Sequence, residues 1–540
     1  MSEKMRRSLV VQGSILAVAG LVSKLIGFIY RIPMANIIGN TGNGLYSVAF
    51  GIYNIALTLS SYSMPLAVSK LMSARLAKGE IKNAKRLFRD ALLFAFVSGL
   101  CAALVLWFGA GAFAALYQKE GLELPLRVLA PTVFVVAILG TCRGYFQGQR
   151  NMVPTAISQV LEQIVNAIVS VAAASAFVRM ALERGEEKAP YGAMGGTMGT
   201  LAGALTALLL FEVLFLILRT GKHPAYLKAR ENEGETEDHR LLMKAIILTV
   251  LPVILSQSIY QLGYTLDDLI FGNLMVAKGI AQTSATQLQG VFNTQYNQMI
   301  NLPAAIATAM ASATLPSIVA SYTHKEFSKV KKKTDTVLKV NMLIAIPSAV
   351  GLAVLAEPIM GILFPGLDDH MDVAVNLLRS GSAAVIFYAL STLSTSILQG
   401  CDRMRIPVIH SGISLAIHVL LVAALVYFTD LGVYALVIGN VTFPLLVCIL
   451  NCRSIVKLLE YRFRIMDSFV KPLMAAAVMG IVSFIIYTFL QERVGMFWAF
   501  IVTMPWAVLI YVVMLSALHT LSREELSTLP FIGRRYREKE

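Results

Sequence analysis

Long apolar runs recur along the whole chain, each about as long as a bilayer is thick and each followed by a short polar turn. In hydrocarbon every backbone N–H and C=O must be satisfied internally, so such runs can only become transmembrane α-helices. The mean hydropathy is +0.68 and only 14% of the 540 residues are charged, which leaves no room for a large soluble domain. The runs predict an all-α polytopic membrane protein with fourteen transmembrane helices.

The formal charge of +14 would suit a nucleic-acid binder if it were clustered on one surface. It is not. With the N-terminus inside, Lys and Arg concentrate in every second loop: Lys4 to Arg7, Lys70 to Arg89, Arg143 to Arg150, Arg219 to Lys244, Lys325 to Lys339, Arg403 to Arg405, Arg453 to Lys471 and Arg523 to Lys539. That asymmetry is the positive-inside pattern; it predicts both termini in the cytoplasm and contact with membrane lipids, with no nucleic-acid partner. The first run is too long for a signal-peptide core and carries a lysine, so it reads as a retained helix. The five cysteines (Cys101, Cys142, Cys401, Cys448 and Cys452) lack the spacing of a metal site or a disulfide framework.

The chain repeats itself. Phe146-Gln147-Gly148 and Leu398-Gln399-Gly400 each open a tight turn ending in Pro, at Pro154 and Pro407. Met64-Pro65-Leu66-Ala67-Val68 matches Leu315-Pro316-Ser317-Ile318-Val319 at nearly the same offset, and Arg127 and Arg379 precede their Gln-Gly turns by the same interval. The implied organisation is an N-lobe of helices 1–6 (residues 1–218), a cytoplasmic linker (219–243) and a C-lobe of helices 7–12 (244–452). Helices 13–14 and a cytoplasmic tail follow (453–540). Six spans per repeat put both halves in one orientation, an arrangement that suits alternating access.

Charges inside membrane spans mark functional positions. Lys24 and Arg31 lie in the first span, SILAVAGLVSKLIGFIYRIPMANII, two helical turns apart and hence on one stripe. Two cations on one face describe a place where an anion could bind; the alternative for each is snorkelling or pairing with a carboxylate. Tyr30 and Asn54 are further cavity-lining candidates. Helix 8 is crowded with amides, among them Asn293, Asn297, Gln298 and Asn301, suited either to sugar hydroxyls or to bonds with neighbouring helices. Glu162 in helix 5 either lines the cavity or locks helices together. Asp267 and Asp268 in helix 7 can bind a coupling cation, neutralise Arg31, or lie at the outer mouth. His410 and His418 in helix 11 can carry protons or simply pack in the core. No cofactor or bound metal is expected beyond coupling to Na+, H+ or the membrane potential. The run GAMGGTMGTLAG (192–203) opens a membrane helix with no strand before it, so it reads as a packing surface and not as a nucleotide loop. No enzyme signal is present.

The SKLIGFIYRIP helix, the YFQGQRNMVP and LQGCDRMRIP turns and the two extra C-terminal helices resemble the polysaccharide-exporter branch of the multidrug/oligosaccharidyl-lipid/polysaccharide (MOP) superfamily. The resemblance is nearest to the mouse virulence factor and stage V sporulation protein B-like group, which includes lipid II flippases. It implies a bacterial cytoplasmic-membrane transporter, acting as a monomer, whose substrate is a polyprenyl-diphosphate-linked glycan. It also implies a cationic cavity. Ser23-Lys24-Leu25-Ile26-Gly27-Phe28 matches the group's Ser-Arg-x-x-Gly-Phe motif with Lys for Arg; Tyr30 stands where the second Arg is expected, and Arg31 follows. The group's further Arg positions fall near Leu57 and Gln298, where no cation is present. A cation-coupled multidrug exporter of the same superfamily and a polytopic glycosyl- or acyltransferase are the alternatives.

Overall fold

The computed structural model describes residues 3–220, 236–461 and 463–520. Most of the expected linker, at 221–235, and the tail from 521 onward therefore lie outside the described residues. The rest is helical: α1 (Glu3–Ser60), α2 (Met64–Lys78), α3 (Ile81–Leu116), α4 (Glu123–Gly148), α5 (Val153–Glu183), α6 (Lys188–Thr220), α7 (His239–Ala277) and α8 (Gln282–Gly290). A π-helical turn, Val291–Tyr296, joins α8 to α9 (Asn297–Thr323). Then come α10 (Phe327–Val354), α11 (Ala356–Leu363), α12 (Met371–Gly381), α13 (Ala384–Gly400), α14 (Arg405–Phe428), α15 (Tyr434–Leu459) and α16 (Lys471–Ala517).

Among the described residues, nine helical stretches are long and apolar enough to cross a membrane. Two of these stretches contain two spans each. In α1 the backbone breaks at Gly39 (φ 69°) and in α16 at Gly495 (φ 79°), a conformation that glycine alone adopts without strain. The pair α12 and α13, bent by 46°, forms a further span. With α7 and the run 282–323 the membrane-crossing segments number fourteen, as the apolar runs predict.

The chain divides into two compact units, Met1–Thr294 and Gln295–Glu540. In the first, Leu45, Val48, Ala49, Leu122, Leu126 and Val133 belong to one buried cluster, and Leu242, Ile246 and Val250 of α7 join Met64, Val68 and Leu87 in another. The small-residue run packs as its composition predicts. A Cβ on Gly199 would sit 2.1 Å from Ser170 Oγ and one on Gly203 2.5 Å from the Glu162 carbonyl oxygen, so α5 and α6 meet backbone to backbone. Just before α7, Arg75 Nη2 meets Glu237 Oε2 at 2.5 Å, Asn83 Oδ1 accepts the Glu237 N–H at 3.0 Å, and His239 Nδ1 lies 2.8 Å from the buried Asp90 carboxylate. These bonds clamp the segment entering α7 onto α2 and α3.

The second unit is built around buried side chains such as Leu338, Leu393 and Ile455. Tyr296 is fully buried beside Gly381, whose carbonyl accepts its hydroxyl at 3.2 Å; a Cβ on Gly381 would meet that hydroxyl at 2.3 Å. The internal repeat is visible in local geometry. The turn after Gly148 bonds Arg150 N to Gln147 O and Asn151 N to Phe146 O, and the turn after Gly400 bonds Asp402 N to Gln399 O and Arg403 N to Leu398 O. Arg150 and Asp402, each two residues past its glycine, have positive φ of 61° and 58°.

Candidate functional site

Helix α1 presents two different faces. Ser23, Gly27 and Tyr30 are at least partly buried, and an ideal Cβ on Gly27 would lie in ordinary contact, 3.7 Å, with Gln163 Oε1 of α5. Tyr30 is 5% exposed, and its hydroxyl accepts from Asn166 Nδ2 at 3.3 Å. Asn166 in turn accepts from Ser170 Oγ at 2.9 Å. Lys24 and Arg31 stand on the other face, and both are exposed. Neither forms an ion pair with a carboxylate among the described residues; Arg31 lies beside the phenols of Tyr30 and Tyr46. Tyrosines can hold a guanidinium in place without cancelling its charge, so the stripe retains two positive charges.

One pair of membrane-depth charges in the first unit is matched. Arg143 Nη2 bonds Glu162 Oε2 at 2.6 Å and its Nε donates to Ser158 Oγ at 3.1 Å, with both members of the pair largely buried. Glu162 therefore ties α4 to α5. Asn54 is half-buried on the second span of α1.

Asp268 sits in a second polar group. It is 7% exposed, and its Oδ1 accepts from Gln289 Nε2 at 2.9 Å and from Asn293 Nδ2 at 2.6 Å. Asn293 Nδ2 is also 3.3 Å from Ser47 Oγ. Asp267 is buried alongside. The described residues contain no ion pair between Asp268 and Arg31. The cation within electrostatic reach of Asp268 is Lys119, 3% exposed, whose Nζ donates to Thr286 Oγ1 at 2.9 Å. Sequence reasoning passed over Lys119 because it stands in a short polar loop between Gln118 and Glu120, where a lysine is ordinarily solvated.

The remaining candidates belong to the second unit. Asn297 Oδ1 accepts from Asn440 Nδ2 at 3.1 Å, Gln298 is buried, and Asn301 is the one exposed residue among Asn293, Asn297, Gln298 and Asn301. His410 Nδ1 lies 2.8 Å from Asn451 Oδ1, and Asn451 Nδ2 donates to Ser394 Oγ (3.2 Å) and Thr395 Oγ1 (3.1 Å). His418 is buried with its Nδ1 donating to the Gly439 carbonyl at 3.1 Å. Arg379 pairs with Glu357 at 3.6 Å near the surface, and Arg127 is exposed.

Comparison with known proteins fits this architecture. Residues 9–321 match the family described as polysaccharide biosynthesis protein, and residues 252–424 match the MatE family. The chain is 24% identical over 432 residues to the lipid II flippase MurJ of Bacillus subtilis (strain 168), covering 78% of this chain and 77% of that protein. It is 25% identical over 522 residues to stage V sporulation protein B of the same organism, covering 96% and 97% respectively. Among solved structures, the inward closed conformation of a lipid II flippase MurJ superposes with a TM-score of 0.68 at 15% identity, over 93% of this chain and 98% of that one. An inward-facing MATE multidrug resistance transporter superposes with a TM-score of 0.57 at 15% identity, over 84% and 99%. The fold is thus the one these transporters share, in a multi-pass protein of the bacterial cytoplasmic membrane. The chain belongs to the polysaccharide biosynthesis protein family of the MOP exporter superfamily.

Proposed function

We propose that this exporter is a flippase for an undecaprenyl-diphosphate-linked sugar precursor, lipid II or a related glycolipid. It would carry the headgroup from the inner to the outer leaflet by alternating access, with both termini in the cytoplasm, for peptidoglycan or other cell-wall polysaccharide synthesis. The observation that carries this reading is the exposed Lys24–Arg31 stripe, which forms no ion pair with a carboxylate among the described residues. Charges within a membrane span almost always face a bundle interior or a water-filled cavity, and two cations without a carboxylate partner there suit an anionic ligand. At about 4 Å, opposite unit charges attract by roughly 1 kcal/mol in bulk water and about 4 kcal/mol at the effective dielectric near a protein surface. A diphosphate facing this stripe is therefore held by Coulomb attraction, with Arg31 adding the forked geometry that Lys24 lacks. The exposed amide of Asn301 suits sugar hydroxyls. The similarity to a protein named as a lipid II flippase supports the substrate class.

The MatE match favours a second reading, a cation-coupled drug exporter. A cationic drug would be repelled by Lys24 and Arg31, which is why the anionic substrate is preferred. The test is complementation of a flippase-depleted strain. Lys24→Ala and Arg31→Ala, at normal membrane abundance, are each expected to abolish rescue, while Lys24→Arg retains it. Full rescue by both alanine variants would overturn the anion site.

A further inference from the structure

Around Lys119 the first unit is closed by a run of polar contacts between the loop after α3, the α7–α8 hairpin and α1. The loop after α3 is fastened to the α7–α8 hairpin at three points. Asn273 Nδ2 donates to the Leu116 carbonyl at 3.1 Å, Gln282 Nε2 donates to the Gln118 carbonyl, and Lys119 Nζ donates to Thr286 Oγ1 at 2.9 Å. On the hairpin's other side the second span of α1 comes in backbone to backbone. A Cβ on Gly44 would sit 2.2 Å from the Thr286 carbonyl oxygen, and one on Gly290 2.2 Å from the Asn40 carbonyl oxygen. Ser47, Asn293, Gln289 and Asp268 continue the seam as hydrogen bonds.

The α5–α6 seam, by contrast, is a close approach of small residues, with Ser170 Oγ donating to the Gly196 carbonyl at 2.8 Å. Its separation would expose apolar surface at about 25 cal/mol per Å². The seam at Lys119 differs. Water can replace each of its hydrogen bonds, so each holds the seam only modestly, the charge-assisted one most, and the ammonium and carboxylate both regain hydration on opening. A seam of that composition suits two discrete arrangements.

We propose that Lys119 is the key of an outer latch: bonded to Thr286 and facing Asp268, it holds the second span of α1, the 116–122 loop and the α7–α8 hairpin shut at the outer end, and its withdrawal opens that end. This rests on the orientation and the alternating access given under the proposed function, but not on the identity of the substrate. The buried lysine acts as a tethered counter-cation. Closure fixes the Asp268 charge, and opening requires that charge to be met by something else.

The test uses the full chain with Cys101, Cys142, Cys401, Cys448 and Cys452 replaced by alanine and Gly51→Cys added. Gly51 faces Thr265 and Asp268 with room for a side chain, an ideal Cβ lying 3.6 Å from Thr265 Oγ1. In intact cells a membrane-impermeant maleimide should label the introduced thiol slowly. Lys119→Met should raise the rate about tenfold or more, the effect of losing one charge-assisted bond, and Lys119→Arg should keep it slow. An unchanged rate in Lys119→Met, or labelling that is fast only in inside-out vesicles, overturns the latch. Should Lys119→Met fail to accumulate, Thr286→Val decides, since it removes the acceptor of the same bond. It should also raise the labelling rate, whereas an unchanged rate overturns the proposal. Labelling is read without substrate, so a failed latch and a failed Lys24–Arg31 site are distinguishable.

Discussion

Arg143 and Arg31 carry the same guanidinium into the same unit and are held differently. Arg143 has a carboxylate at 2.6 Å. Arg31 lies beside the phenols of Tyr30 and Tyr46 and pairs with no carboxylate among the described residues. Removing one member of a largely buried pair strands the other, at a cost of about 3 kcal/mol or more, while removing both is far milder. Glu162→Ala is therefore expected to lower the thermal stability of the detergent-purified protein markedly, and Arg143→Ala/Glu162→Ala to recover much of the loss. Additive losses in the double variant would show that the two do not act as a pair. Arg31→Ala strands no carboxylate, so it should cost less stability than Glu162→Ala while removing transport. The sequence shows all of these charges at membrane depth but not which carboxylate meets which cation. Arg143 ends one helix and Glu162 stands in the next, and only the packing of α4 on α5 makes them partners.

At the scale of elements, glycine does two separate jobs. Gly39 and Gly495 supply positive φ where one span turns into the next. Gly199 and Gly203 supply the absence of a side chain where α6 lies against α5. Gly199→Ala would push a methyl group to 2.1 Å from Ser170 Oγ, so α5 and α6 must move apart. Overpacking of that kind costs about 1–3 kcal/mol. The expected outcome is a clear drop in membrane accumulation and melting temperature, larger for Gly199→Leu, with Gly20→Ala, where a Cβ meets nothing within 4 Å, as the silent control. Equal behaviour of Gly199→Ala and Gly20→Ala would refute the close-packing account. The small-residue run was legible as a packing surface, because nothing else suits such a run inside a membrane helix. Its partner was not, since several spans offer small residues.

For the whole molecule, the alternation of basic loops makes a topological prediction. A fluorescent protein fused at the C-terminus should be bright in the cytoplasm, and a phosphatase inserted in the outer turn at 184–187 should be active. The reverse pattern would invert the membrane orientation and with it the direction of transport. The clamp of Arg75, Asn83 and Asp90 on Glu237 and His239 fastens the chain as it enters α7. Arg75→Ala removes a two-point bond to Glu237 and should make the preceding linker more sensitive to added protease in inside-out vesicles.

The sequence by itself determined the class, the number of spans, the internal repeat and the two cations of the first helix. Each of these follows from one-dimensional information. The length of an apolar run, the sign of a loop and a spacing of seven residues survive without knowing what any helix touches. The tertiary structure decided which polar groups are already committed. Glu162 ties α4 to α5, Asn297 bonds Asn440, His418 bonds a backbone carbonyl, and Lys119, one loop lysine among many in the sequence, lies buried within reach of Asp268. The physical reason is that a polar side chain in a membrane protein can be satisfied by water, by substrate or by a neighbouring helix. Which of the three it meets depends on the helix beside it, and neighbours in a helical bundle are set by packing between segments far apart in the chain.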